Sequence, residues 1–418
     1  MNRRKSIKNL LLGISGYPFI ANAHQLASPF SLGDKGQDID WEDFAKNNYN
    51  ISSDFVNLEG GYFGVQPNVV LSAYKSNIDK VNQYSSAYMR REFYQRDYVN
   101  IKNTLAEFSG VSREELLITR NATEALNILI QGLAFKKGDE VILQHHDYPS
   151  MIDTFKMLEA RQGIKLKFLK VPLVPKNQEE LLELYRGAIT KKTRCILVTH
   201  LTHLTRQILP VKQIGEMAKS QGIDVIVDAA HSFAQLDMKL PDLGADFVGV
   251  NLHKWFGNPL GAGLMYAKKD RIKDLKPLFG DVKRADDDID KLGHYGTPAT
   301  PIVMTIPSAA RFNQELSLSA KENRLRFLKT YWAEQAKEID RVAVTTPLDD
   351  TQSCALASFK ISGMEASDVV DQLYEKHQVF TVIRKLHEDT VVRVTPNLYN
   401  TTNDLDQLLE GIYSLAKS

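Results

Sequence analysis

Short apolar segments alternate with segments of helical periodicity through much of the chain, and this alternation strongly restricts the possible folds. The apolar segments lie at residues 115–119, 140–144, 166–171, 195–199, 225–228, 247–251 and 263–267. Most are apolar throughout, as expected for strands buried on both faces of a largely parallel sheet. Because strands that alternate with helices form a sheet covered by helices, we predict a large α/β domain.

A second, smaller α/β domain is predicted near the C-terminus. A long polar helical stretch covers residues 307–337. Apolar runs then follow at 355–361, 379–383 and 391–395, in alternation with helical segments at 365–377 and 404–416. We therefore divide the chain into a leader (1–23), an N-terminal arm (24–60), a large domain (61–306), a linking helix (307–340) and a small domain (341–418).

The composition indicates a folded protein with a small-molecule partner. At 418 residues and 43% hydrophobic content, the chain can bury a substantial core. Lys and Arg total 52 against 51 Asp and Glu, so no net field attracts nucleic acid or an anionic membrane. Cys195 and Cys354 fit neither a disulfide framework nor a metal site with paired ligands, and we assign no metal.

The N-terminus has the features of an export signal. Arg3 and Arg4 precede an apolar stretch at 10–20, and a small-residue pattern follows at 21–23. This order is typical of a twin-arginine signal cleaved after Ala23, which predicts a periplasmic protein. The apolar stretch is about half as long as a membrane-spanning helix, so we expect no stable membrane anchor. The alternative is a basic tail on a cytoplasmic protein.

A helix is predicted to begin just after the segment at 115–119. Asn121 is suited to cap it, with Glu124 three residues later as in a capping box, and the apolar positions from Ala122 onward keep helical spacing. The free N–H groups at such a helix end bind a phosphate readily. An ordinary capped helix explains the same residues.

Two further strand ends carry ionisable side chains. The segment 225–228 ends in Asp228, at the sheet edge where α/β proteins place ligands. Such a carboxylate binds a metal, caps a helix or pairs with a protonated ring nitrogen. The segment 247–251 is followed by His253 and Lys254, and burial there would make the lysine uncharged and nucleophilic. Taken alone, Lys254 is explained equally well as a surface lysine.

Together these segments resemble the class V aminotransferase family of pyridoxal-phosphate enzymes, of fold type I, and in particular its isopenicillin N epimerase-like branch. The resemblance covers nearly the whole chain after the leader. Its strongest parts are Asp228-Ala229-Ala230-His231-Ser232 and Leu252-His253-Lys254-Trp255, in the family's order and spacing. Supporting matches are Asn121-Ala122-Thr123-Glu124, His146-Asp147-Tyr148, Gly296-Thr297 and Arg393-Val394-Thr395-Pro396-Asn397.

The resemblance implies a role for each matched residue. Lys254 would hold the cofactor as a Schiff base and act as the base at the substrate α-carbon, and Asp228 would keep the pyridine nitrogen protonated. His146 would stack on the cofactor ring, and His231 would hydrogen-bond its phenolic oxygen. Arg393 would bind the substrate carboxylate. The remaining contacts would hold the cofactor at its phosphate end, from Asn121, Ala122, Thr123, Asn251, His253 and, from the other subunit of a homodimer, Thr297.

Some of these assignments have structural alternatives. A solvated histidine also fits His146, because His145 precedes it in a polar turn. An internal ion pair also fits Arg393, and a residue that merely shapes the turn at Gly296 also fits Thr297.

One stretch departs from the family pattern. His203 stands where asparagine is usual and Arg206 where glycine is usual, which leaves the exact substrate open. Arg90, next to Arg91, is a further candidate for binding an acidic substrate. A solvated helix face explains these two arginines equally well.

Several reactions share the carbanion chemistry that this cofactor supports. Desulfurases of this fold need a mobile cysteine shortly before the carboxylate-binding arginine, and residues 377–392 contain none. We therefore expect epimerase-like chemistry at the α-carbon of an amino-acid or peptide-derived substrate, with periplasmic tailoring of a secreted natural product as its exported version. The alternatives are an aminotransferase or a carbon–sulfur lyase. A non-catalytic pyridoxal-phosphate-binding protein is less consistent with an intact Lys254 and Asp228.

Overall fold

The structure, a computed structural model, describes residues 39–294, 296–386 and 389–418. The predicted leader at 1–23 and much of the predicted arm at 24–60 lie outside the described residues. From Ile39 onward the described residues form one compact unit with a large and a small β-sheet.

The first elements are mainly helical. They are helix α1 (Trp41–Asn48), strand β1 (Val56–Asn57), helix α2 (Asn68–Tyr88), a π-helix (Met89–Asp97) and helix α3 (Tyr98–Ser109). The Asp40 carboxylate caps α1 by accepting from the N–H groups of Glu42 and Asp43. Gly110, with a φ of 74°, ends α3 in the left-handed conformation that glycine adopts without strain.

A seven-stranded sheet follows. Its strands are β2 (Leu116–Thr119), β3 (Glu140–Gln144), β4 (Lys165–Leu169), β5 (Thr193–Thr199), β6 (Asp224–Asp228), β7 (Phe247–Asn251) and β8 (Gly263–Ala267). They lie in the order β2-β8-β7-β6-β5-β3-β4, and β8 alone among these seven runs antiparallel to its neighbours. The predicted mainly parallel sheet is confirmed, with each strand within about two residues of its expected bounds.

The helices between these strands cover the sheet. They are α4 (Ala122–Gly132), α5 (Pro149–Gln162), α6 (Gln178–Ala188) and α7 (Val211–Lys219). Helix α4 lies very close to β7 and β8, because two glycines leave room for it. A Cβ on Gly249 would lie 2.6 Å from Leu126 Cγ, and one on Gly263 would lie 2.5 Å from the backbone carbon of Asn121. The N-terminus of α4 is thereby held against the end of the sheet.

The helical stretch expected at 307–340 begins earlier and is divided. Helix α8 (Thr300–Leu316) contains Pro307 in its interior, and helix α9 (Leu318–Lys337) follows after a break at Ser317. Ser317 has a φ of 67°, which stops α8, and its hydroxyl accepts from the Ala320 N–H to start α9. No helix in the described part of the chain combines the length and the apolar character needed to cross a membrane.

The C-terminal part contains a four-stranded antiparallel sheet in the order β12-β13-β10-β9. Its elements are β9 (Val342–Val344), β10 (Ala357–Ile361), α10 (Ala366–His377), β11 (Val379–Phe380), β12 (Val382–Leu386), β13 (Asp389–Val394) and α11 (Thr402–Lys417). Strand β1 pairs in parallel with β11, and Leu58 just after β1 is fully buried in the hydrophobic core of this part. The arm therefore reaches the small sheet.

Candidate active site

A cavity of about 200 Å³ lies where the carboxyl ends of β5, β6 and β7 meet the N-terminus of α4. This is the edge of a parallel sheet at which α/β proteins bind ligands. The residues predicted from the sequence that line it are Asn121, Ala122, Thr123, Asp228, His231, Asn251, His253 and Lys254. The fold thus brings together side chains from three separate stretches of sequence.

Asp228 and Lys254 provide opposite charges in this cavity. Asp228 is 4% exposed, and its Oδ1 accepts from the Ala230 N–H at 2.9 Å. Burial raises the pKa of the Asp228 carboxyl, and the positive charge of Lys254 partly offsets this. Burial also lowers the pKa of the Lys254 amine to about 8, against the attraction of Asp228. About one-tenth of Lys254 is therefore uncharged at pH 7, far more than for a lysine with its usual pKa.

His231 lies between the side chains of Lys254 and Trp255. Its Nε2 is 3.0 Å from Lys254 Nζ, and its Nδ1 accepts from the indole Nε1 of Trp255 at 3.4 Å. Burial, then the charge of Lys254, holds the pKa of His231 well below its usual range, so the ring is neutral. Because an indole N–H can only donate, the ring proton is assigned to Nε2, which points at the lysine amine.

The helix end opposite Asp228 is held by side-chain amides. The Ala122 N–H donates to Asn251 Oδ1 at 2.7 Å, and the Glu124 N–H donates to Asn121 Oδ1 at 2.8 Å. His253 Nδ1 donates to the Ala262 carbonyl at 3.2 Å, and burial lowers its pKa to about 4. The positive end of a helix dipole suits an anion such as a phosphate.

Two tyrosines that the sequence did not single out also line the cavity. The hydroxyls of Tyr62 and Tyr148 are 3.0 Å apart, and Lys254 Nζ lies 5.0 Å from the centroid of the Tyr62 ring. The hydrogen bond to Tyr62, followed by burial, raises the pKa of Tyr148 to about 12. The Tyr148 hydroxyl therefore keeps its proton at neutral pH.

His146 does not line the cavity, although the family resemblance gives it a place on the cofactor ring. It is only 2% exposed, so the alternative of a solvated histidine is wrong, while its place on the cofactor ring stays a prediction. Its neighbour His145 stacks on Phe168 with ring centroids 5.0 Å apart. The aromatic ring of this turn that reaches the cavity belongs to Tyr148, which packs edge-on against His203.

Arg393 is fully buried beside the cavity and forms an ion pair within the protein. Its Nη2 donates to Glu59 Oε1, and its Nη1 donates to the backbone carbonyl of His203 at 3.4 Å. Arg384 Nη2 donates to the same Glu59 oxygen at 3.0 Å. Burial lowers the pKa of Arg393 to about 10, against the attraction of Glu59. The internal ion pair expected as an alternative is present, and it leaves other guanidinium donors available.

Arg90 and Thr297 lie away from the cavity. Arg90 is exposed on the π-helix, as expected if it belongs to a solvated helix face. Thr297 is exposed in the loop before α8. Neither residue lines the cavity of its own chain. Among the described residues, no group of three or more histidines, cysteines or carboxylates is arranged to hold a metal ion.

Some site residues were not predicted from the sequence, although the sequence offers features close to them. Tyr148 belongs to the quoted stretch His146-Asp147-Tyr148, and Tyr62 follows the glycine pair Gly60-Gly61 in the arm. His203 was noted as a departure and does line the cavity. Nothing in the sequence pattern around Glu59 marked it as the partner of Arg393.

Comparisons with known proteins identify the family of this chain. The chain is similar to isopenicillin N epimerase of Streptomyces clavuligerus, with 23% identity over 90% of this chain and 98% of that protein. It is also similar to a probable cysteine desulfurase of Synechocystis, with 26% identity over 89% of this chain and 93% of that protein.

Solved structures show the same fold. An apo cysteine desulfurase of Thermococcus onnurineus superposes with a TM-score of 0.81 at 21% identity, over 91% of this chain and 99% of that one. The cystine C–S lyase C-DES, in complex with cysteine persulfide, gives a TM-score of 0.77 at 21% identity over 86% and 98%. The family model for class-V aminotransferases matches residues 65–408. This chain therefore belongs to the class-V aminotransferase family of pyridoxal-phosphate-dependent enzymes.

Proposed function

We propose that this pyridoxal-phosphate-dependent enzyme removes the α-proton of an amino-acid or peptide-derived substrate and returns a proton to the opposite face, as an epimerase does. The observation that carries the proposal is the set of proton-carrying groups at the cavity. Lys254 has an amine that is partly uncharged, and the Tyr62–Tyr148 hydroxyl pair lies beside it. Neither of the two cysteines lines the cavity.

The cavity residues fit the cofactor. The buried Asp228 carboxylate suits a protonated ring nitrogen, and the Lys254 amine suits a covalent bond to an aldehyde. The N-terminus of α4, capped by Asn121 and supported by Asn251, suits the phosphate. When bound, pyridoxal phosphate supplies an electron sink for the electrons left by the α-proton.

The side chains at the cavity then have separate roles in the reaction. Lys254, once uncharged, accepts a proton at Nζ, and His231 holds that amine in place through its Nε2. Tyr62 and Tyr148 share a hydrogen-bonded proton that either oxygen can donate. Arg393 orients a substrate carboxylate with the donors that Glu59 leaves unused. A lysine and a tyrosine pair give the site two separate proton carriers, which a two-base inversion of configuration would use.

A carbon–sulfur lyase is the second candidate. The similarity to the cystine C–S lyase C-DES favours it, since a lyase expels a sulfur substituent without needing a thiol of its own at the site. The same electron sink serves both reactions. An aminotransferase remains the third possibility that this chemistry allows.

The products in deuterated water separate these activities. The holoenzyme is incubated with a panel of amino acids and short peptides, and the products are analysed by mass spectrometry and chiral chromatography. An epimerase incorporates deuterium at the α-carbon and yields both configurations without a keto acid. Release of a sulfur-containing fragment would establish the lyase instead, and a keto acid formed in step with cofactor conversion would establish the aminotransferase.

We also propose that the enzyme is a homodimer with shared active sites. The support is that Thr297 is exposed and does not line the cavity of its own chain, as expected of a residue that completes a partner's site. Sedimentation velocity should give the mass of two chains. A single-chain mass in the holoenzyme would contradict the proposal. Export to the periplasm, with tailoring of a secreted product there, is the corresponding proposal for location.

A further inference from the structure

Three arginines gather beside the cavity around one carboxylate. We call Arg206, Arg384 and Arg393 the arginine cluster. Glu59 Oε1 accepts from both Arg384 and Arg393, while Arg206 donates through Nη1 to the backbone carbonyl of Leu204. Among the described side chains, Glu59 is the one carboxylate that forms ion pairs with these three guanidinium groups, through Arg384 and Arg393.

The cluster lacks partners for several of its donors. Arg206 and Arg393 are both 0% exposed, yet Nε and Nη2 of Arg206 and Nε of Arg393 have no hydrogen-bond partner. A buried cation is costly unless it is paired and hydrogen-bonded. Burial and the neighbouring charges of Arg393 and Arg384 lower the pKa of Arg206 well below its usual range. An anion is the ligand that would satisfy these donors.

The cluster lies directly behind the wall of the cavity. His203 lines the cavity, and its backbone carbonyl accepts from Arg393. Tyr62 also lines the cavity, and the Arg384 guanidinium lies 6.0 Å from the centroid of the Tyr62 ring. His203 and Tyr62 therefore connect the cavity that contains Lys254 with the arginine cluster.

Arg206 occupies its position against local preferences. Its φ is 64°, in the left-handed region that residues other than glycine rarely adopt. A glycine there would carry neither the backbone strain nor the unpaired buried charge. Strain of this kind persists where it serves binding or catalysis.

We propose that the substrate carries a second carboxylate besides that of the reacting amino acid, and that the arginine cluster binds both. Arg393 binds the carboxylate next to the α-carbon, and Arg206 with Arg384 binds the distal one. The substrate class is therefore an acidic amino acid or a peptide with a free C-terminal carboxylate. This inference rests on the proposed function for the location of the reacting carbon, and its test measures binding rather than turnover.

Paired ligands that differ in one carboxylate test the proposal. The holoenzyme is titrated with L-glutamate and L-glutamine, L-aspartate and L-asparagine, and alanyl-alanine and its C-terminal amide, while the cofactor spectrum is followed. In at least one pair the acid should bind about tenfold more tightly, or better, because two guanidinium groups would donate to it. In the apo protein, glutarate should raise the melting temperature and butyrate should not.

Substitution of Arg206 tests whether the arginine cluster causes the tighter binding of the acid than of its amide. Arg206→Gly should melt at a higher temperature than the unchanged protein without ligand, and it should lose the advantage of the acid over its amide. The matched control is Arg341→Gly, which removes another arginine with a positive φ, 70°, at an exposed position bonded to the Ser362 carbonyl. Arg341→Gly should keep the advantage of the acid.

The outcomes separate the two proposals. If no acid binds more tightly than its amide, or if Arg206→Gly keeps the difference, the second carboxylate is wrong whatever reaction the enzyme performs. If the acids are preferred through Arg206 but no deuterium reaches the α-carbon, the substrate class stands and the epimerase proposal fails.

Discussion

The side-chain amine of Lys254 lies 3.0 Å from Nε2 of His231, and the indole of the next residue, Trp255, donates to the other nitrogen of the same ring. Two neighbouring residues of one segment thus hold the imidazole from both sides. With the ring proton on Nε2, the lysine amine accepts that proton's hydrogen bond only in its uncharged form, which a pKa of about 8 makes accessible near neutral pH. An uncharged lysine is the form that attacks an aldehyde.

The rate of cofactor capture should therefore depend on pH through Lys254. Its pKa is lowered to about 8, so the reactive uncharged fraction grows about tenfold per pH unit below that value and levels off above it. Mixing apo protein with pyridoxal phosphate at a series of pH values, and recording the growth of the visible band, gives the profile. Asp228→Asn should move the midpoint to lower pH, because the Asp228 charge raises the pKa of Lys254. A pH profile whose midpoint lies near the usual pKa of a lysine would show that burial does not lower the pKa of Lys254.

Substitutions at the same two positions should separate attachment from catalysis. Lys254→Ala should lose the covalent attachment, so that borohydride no longer fixes the cofactor to the peptide containing residue 254, and activity should fall about 10²-fold or more. Asp228→Ala should still be fixed by borohydride at Lys254 but should lose most of its turnover, because the ring nitrogen is no longer held protonated. Peptide mapping and turnover assays measure the two effects. Near-normal turnover of Asp228→Ala would remove its assigned role.

Local sequence pattern was sufficient for the strands, and the roles of the residues that follow them came from the family resemblance. Asp228 and Lys254 could be placed because the carboxyl ends of parallel strands share one edge of the sheet. Arg393 and Glu59, by contrast, meet across a separation of 334 residues, and no periodicity reports such a contact. The place of Tyr148 rather than His146 at the cavity depends on how a turn is oriented, which the order of residues does not fix.

The glycine at the start of β8 should be needed for the cofactor end of the cavity. A Cβ on Gly263 would lie 2.5 Å from the Asn121 backbone, so Gly263→Ala must push the N-terminus of α4 away from the sheet. We expect a loss of stability of about 1–3 kcal/mol and weaker cofactor binding. The control is Gly187→Ala in α6, where nothing lies within 4 Å, and which should stabilise by about 0.5–1 kcal/mol. Equal melting temperatures and cofactor affinities in the two variants would contradict the close approach.

Residues 1–23 should direct export of a folded protein. Fused to a reporter that is active only after folded export, this leader should place the reporter outside the cytoplasm of a bacterium with the twin-arginine system. Replacing Arg3 and Arg4 together by lysine keeps the charge but removes the paired arginines, and it should stop export. Fractionation of the cells measures the result. If the leader with the two lysines exports equally well, the twin-arginine interpretation is wrong, and if the unchanged leader exports nothing, the cytoplasmic alternative holds.

The two cysteines should be dispensable for activity, which distinguishes this chain from a desulfurase. Both are buried, and burial raises the pKa of the Cys354 thiol to about 12 and that of Cys195 above its usual range, so neither provides a thiolate at neutral pH. Cys195 also lies on β5 four residues before Thr199, about 13 Å from the cavity end of that strand.

A double Cys195→Ala, Cys354→Ala variant should lose some stability, because two buried side chains become smaller, while keeping its turnover per folded molecule. Turnover is measured on protein whose folded fraction has been determined by thermal melting. If the double variant folds and binds the cofactor but turnover disappears, a thiol takes part in the reaction, and desulfuration replaces epimerisation as the function that the relatives and the site together support.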